Sequence, residues 1–61
     1  MAKLKSFIIK LFDKNNEPIW NYRIYGHCRN QALSIFAQMI IADNDLQYDI
    51  NITSKIEIDE E

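Results

Sequence analysis

Glycine, proline and cysteine each occur once in the 61 residues, and each scarcity excludes something. One glycine cannot build a phosphate-cradling loop, which needs several residues without a Cβ. One cysteine rules out an intramolecular disulfide framework, and with a single histidine no Cys/His cluster reaches zinc spacing. No apolar run approaches the roughly 20 residues of a membrane span. The segment Met1–Lys10 is basic, but its apolar stretch is short and broken by Lys10, which argues against a signal peptide. These absences predict a reducing, cytoplasmic location. They also predict that stability rests on a small core, with or without help from an associated chain.

What is present is ample apolar material, 48% of the residues, and an uneven charge. Residues 1–31 hold six Lys/Arg against two acids, giving +4; residues 32–61 hold one Lys against seven acids, giving −6. Two halves of opposite sign can meet within one fold. Alternatively, Asp43, Asp45, Asp49, Glu57, Asp59, Glu60 and Glu61 form an acidic patch that steers a basic partner.

The segment Cys28–Ala42 is the one stretch with helical periodicity. At about 100° per residue, Ala32, Leu33, Ile35, Phe36, Ala37, Met39 and Ile40 fall in an arc roughly 200° wide. The helix is expected to start at an imperfect capping box of Cys28 and Gln31, with His27 or Asn30 as equal alternatives for the cap, and to end near Asp43-Asn44-Asp45 with Asn44 as a left-handed cap. Asp43 and Asp45 oppose the dipole there and need another reason.

Lys3–Phe12 alternates as a strand, with Phe7, Ile9 and Leu11 on one face and Ser6, Ile8, Lys10 and Phe12 on the other. Apolar residues on both faces suit a central strand. A polar loop, Asp13–Pro18, leads to a second strand, Ile19–Tyr25. Trp20, Tyr22 and Ile24 are assigned to its core face, and Ile19, Asn21, Arg23 and Tyr25 to the other. Gly26 then breaks the strand. Leu46–Ile58 alternates most regularly and reads as a third strand, followed by an acidic tail, residues 59–61. The expectation is one α+β domain over residues 1–61 in the order β–β–α–β. Its three-stranded antiparallel sheet has the order 2-1-3, with one helix packed on one face.

Candidate chemistry is sparse. His27–Cys28 is the sole nucleophile-and-base pairing, and sequence neighbours rarely face each other. Asp43, Asp45 and Asp49 lack the glycine and final glutamate of a calcium loop. The chain is therefore expected not to be an enzyme and to need no metal or cofactor.

Association is the stronger reading. Ile8, Phe12, Ile19, Arg23 and Tyr25 on the open sheet face are candidate partner-binding residues, and Leu33 and Ile41, at the margin of the helix, are candidates for contact with a second copy. Two alternatives remain. Lys10 and Arg23 among aromatics could hold a single-stranded nucleic acid, or the chain could be a structural subunit.

At Ile24-Tyr25-Gly26-His27-Cys28-Arg29-Asn30-Gln31-Ala32-Leu33, a strand ends in Ile-Tyr, a short cap follows, and an amide precedes Ala-Leu. This resembles small β–β–α–β bacteriophage inhibitors of bacterial RNA polymerase, and in element order the phage inhibitors of uracil-DNA glycosylase, which form dimers and mimic DNA charge. The resemblance implies a non-enzymatic phage or mobile-element protein that binds a host protein. Between Cys28 and Ala42 there is no Asp or Glu, and the third strand has only Lys55 as a base. No site residue is carried over from those families.

Overall fold

A computed structural model describes residues 3–61; residues 1 and 2, which the single-domain expectation included, lie outside them. Strand β1 (Lys5–Phe12) and strand β2 (Pro18–Gly26) are followed by helix α1 (Arg29–Ala42), helix α2 (Asn44–Asn51) and strand β3 (Lys55–Glu60). The sheet order is β2-β1-β3, with β1 antiparallel to both neighbours. The α+β class, the sheet order and the central place of β1 agree with the sequence reading. The single helix does not: there are two, so the order is β–β–α–α–β rather than that of the resembled families.

The hairpin turn is built by Asp13. Its Oδ1 accepts from the Asn15 and Glu17 amides at 2.8 and 3.0 Å, and Asn16 takes the left-handed conformation at φ 62°. An Asx turn of this kind suits a polar loop whose one left-handed position is an asparagine. The register of β1 with β2 shifts between Leu11 and Phe12, leaving Ile19 as an extra residue in β2. Such a bulge re-aims a side chain. Ile19 accordingly packs, half-buried, against the core instead of joining the open face as expected.

Both helices pack on one face of the sheet. Phe7, Ile9, Leu11 and Ile24 from the strands, Ala32 and Phe36 from α1, and Leu46 from α2 form the buried cluster. Gly26 closes β2 where α1 begins. A Cβ there would stand 3.3 Å from the Ala32 nitrogen and 3.3 Å from Gln31 Oε1, so its role is close approach rather than an unusual backbone angle. The anticipated box is displaced by one residue. Cys28 is the N-cap without a side-chain bond, and Gln31 Oε1 accepts from the His27 amide.

Residues 46–51 are helical, not extended as their alternation suggested. The cause lies in Asp43, whose carboxylate accepts from the Asp45 and Leu46 amides and caps α2. Leu46 and Ile50, four apart, face the core, while Tyr48 points to solvent. The acids that sit badly at the end of α1 are thus the start of α2, with Asp45 in its first turn. Asn44 is the first residue of that helix, and no left-handed cap forms there. Nor is 59–61 a free tail. Asp59 and Glu60 belong to β3, and the Glu61 amide donates to the Ser6 carbonyl at 2.8 Å.

Candidate protein-binding surface

The open face of the sheet is closed by charge. Ile8 lies between Arg23 and Asp59 in one cross-strand row, and Lys10 between Asn21 and Glu57 in the next. Lys10 Nζ reaches Asp59 at 3.0 Å, and Lys55 pairs with Glu57 at 2.9 Å. Arg23 spans the middle strand to grip Glu61 with two bonds, 2.8 and 3.3 Å long, and Ser6 Oγ donates to the same carboxylate at 3.1 Å. The Arg23 contact holds the Glu61 carboxyl below its ordinary range and raises the guanidinium further. Lys55 also sits 5.2 Å from the Phe12 ring centroid.

Of the five residues expected to bind a partner, Ile8, Phe12 and Ile19 are therefore half-buried, and Arg23 is held by Glu61. Tyr25, 57% exposed, is the one large hydrophobic side chain among them that stands open. The acids proposed for steering are mostly engaged within the fold. Asp43 caps α2, Asp49 accepts from the Tyr22 hydroxyl at 2.8 Å, and Glu57, Asp59 and Glu61 hold the basic residues just named. Glu60 lies 3.8 Å from Lys5.

Trp20 was expected in the core and not among the contact residues. It lies opposite Leu11 on the helix side of the sheet, as assigned, yet is 63% exposed. Helix α1 covers the other end of β2, where Phe36 meets Tyr22 at a centroid distance of 5.6 Å and Ala32 meets Gly26. Trp20 lies beyond that cover, beside the bulge, where Pro18, Ile19, Trp20 and Asn21 line a shallow hollow. Pro18 and the two-face apolar pattern around Ile19 were the available signals of an irregular strand start.

Trp20 and Tyr25 therefore stand on opposite faces of the sheet but on the same strand. That strand is an edge: β2 pairs with β1 alone among the described residues. Edges are usually blunted by shortness, charge, proline or a bulge. β3 follows this practice, with Lys55, Glu57, Asp59 and Glu60 in its six residues. β2 is nine residues long, has Pro18 and the bulge only at its hairpin end, and carries Arg23 as its single charge, already paired.

Other concavities are committed to local structure. The notch at Met39, Ala42, Asp43, Asn44 and Asp45 contains the α2 cap, and the groove between residues 13–15 and 51–54 contains the hairpin Asx turn. Cys28 is exposed, and the His27 ring lies 3.3 Å from the Lys3 carbonyl. Among the described residues no group of three or more His, Cys, Asp or Glu has a metal-holding arrangement, and no helix is long and apolar enough to cross a membrane. No protein-family model matches the chain, no curated protein matches its sequence and no solved structure matches its fold.

Proposed function

We propose that this chain is a non-enzymatic protein-binding module that accepts an extended segment of another protein along the free edge of β2. The observation that carries the reading is an edge blunted only at its hairpin end, with an exposed aromatic on each face. A strand added there would satisfy the outward backbone groups and lie beside both Trp20 and Tyr25, which no partner on a single face could do. Tryptophan and tyrosine are the residues that most often dominate binding energy when a partner excludes water around them. The likeness of residues 24–33 to phage inhibitors supports a modulator of a host protein in the cytoplasm as the wider role.

The test is affinity capture from a bacterial lysate with the native chain and four variants. Trp20→Lys and Tyr25→Lys change exposed side chains and are expected to leave the melting temperature in place. Each should lower retention of the captured protein by roughly tenfold or more. Lys10→Ala and Arg23→Ala should retain it. Retention that survives both edge variants would overturn the edge as the site. Nuclease-sensitive capture weakened by the two basic-residue variants would replace it with nucleic-acid binding.

A further inference from the structure

The outer face of α1 carries almost no charge. Among its exposed positions, Arg29, Asn30, Gln31, Leu33, Ser34, Ala37, Gln38, Ile41 and Ala42, only Arg29 is charged. A helix with one face on a core ordinarily turns charged residues to water. Here Leu33 is 39% exposed and Ile41 79%, with exposed Ala37 midway between them. The three are four residues apart and so form one ridge along the helix. Arg29 begins the same ridge, and Asp45 lies just past its far end, at the start of α2.

We infer that α1 packs against α1 of a second copy of this chain, antiparallel, about a two-fold axis at Ala37. The ridge is self-complementary under that rotation. Ala37 meets its equivalent where the axes cross and lets the backbones approach closely. Leu33 of each copy then lies toward Ile41 of the other, as an isologous contact requires. The charges agree with this orientation and not with its opposite. An antiparallel pair brings Arg29 of one copy toward the Asp45 end of the other, whereas a parallel pair sets like charges together. The neutral middle, Asn30, Ser34 and Gln38, meets itself without repulsion. This face is separate from the β2 edge, so the inference does not depend on the proposed function. A dimer of this form presents two β2 edges at once.

Sedimentation equilibrium from micromolar to millimolar concentration should show a species of twice the 7.3 kDa chain mass. Ala37→Glu, at an exposed helical position, should keep the circular dichroism spectrum and weaken dimerisation by roughly a hundredfold or more, because the charge is left unpaired in the contact. Arg29→Asp and Asp45→Arg should each weaken the dimer, and the two together should restore it. In a Cys28→Ser background, Ala37→Cys should form an intermolecular disulfide under mild oxidation. A wild-type monomer throughout the concentration range would overturn the inference. So would a dimer that survives Ala37→Glu, or one dissolved by Trp20→Lys instead.

Discussion

The Tyr22 hydroxyl donates a 2.8 Å hydrogen bond to the Asp49 carboxylate, tying the edge strand to the second helix across 27 positions of sequence. Its neighbour Phe36 tilts against the same ring at 52°, so Tyr22 joins β2, α1 and α2 at one point. Burial comes first, then the bond to Asp49 and the charges of Asp49, Asp43 and Asp45, in pushing the Tyr22 phenol up to about 12.

A folded-state value raised above the unfolded value of about 10 means that the contribution is fully present below pH 10 and is lost as pH rises toward 12. Tyr22 should therefore ionise above the ordinary tyrosine range in an ultraviolet titration, and thermal stability should fall between pH 10 and 12. Tyr22→Phe should remove much of that fall. At neutral pH it should cost about 1–2 kcal/mol, where the ranges for neutral and charge-assisted bonds meet, as suits a part-buried bond. Equal melting temperatures for the two proteins at pH 7 would show that the bond contributes nothing.

Asp43 ends one helix and begins the next, since its amide donates to Met39 while its carboxylate caps α2. Asp43→Ala should destabilise by about 1 kcal/mol, whereas Asp43→Asn and Asp43→Ser should stay within a few tenths. Chemical denaturation compares the three directly. An alanine variant as stable as its serine counterpart would remove the cap as the reason α2 forms.

Leu46 and Tyr48 separate the helix from the strand that their alternation imitates. Leu46 is wholly buried and Tyr48 lies in solvent; a strand would place both on one face. Leu46→Ala should cost about 2–5 kcal/mol, much of the roughly 3–9 kcal/mol expected for a chain this long. Tyr48→Ala should cost under about 0.5 kcal/mol. Urea unfolding monitored by circular dichroism distinguishes them, and similar losses for both would restore the strand.

Arg23 and Glu61 link the two outer strands over the middle one. Because the Glu61 carboxyl is depressed, first by its bond to Arg23, the pair is intact above the unfolded carboxylate value of about 4.3 and fails as pH falls through the folded value. Protection of the Glu61 amide against hydrogen exchange should drop as pH falls below the ordinary carboxylate range. Salt at about 1 M should lower it at neutral pH, since the Debye length shrinks to about 3 Å. Glu61→Gln should remove both dependences; if the amide responds as before, the ion pair does not hold the strand end.

The sheet was legible because two-residue alternation in β1 and β2 has one simple solution, with the doubly apolar strand in the centre. The second helix was not, because Leu46, Tyr48, Ile50 and Ile52 fit a strand while Leu46 and Ile50 alone fit a helix. Periodicity over so few residues does not separate these alternatives. The deciding clue was chemical: Asp43, Asn44 and Asp45 oppose the end of α1 but suit the start of α2. For the surface, Tyr25, Leu33 and Ile41 are exposed as expected. Trp20 was hidden by the rule that large aromatics fill cores, which says nothing of how far along a strand the covering helix reaches. The open face could not be read as closed until strand pairing brought Asp59 and Glu61 to Lys10 and Arg23.

The central place of β1 also sets an order of events during synthesis. Its hairpin with β2 closes through a short loop, on the order of 1–10 μs for such a structure. Its other edge must wait for β3, which begins at Lys55, 29 positions after Gly26 ends β2. At roughly 5–20 residues per second, ribosomes need on the order of 1.5 to 6 seconds to make that stretch. Throughout the interval the most apolar strand of the chain has one row of backbone groups bare, on a nascent protein with neighbours on the same message.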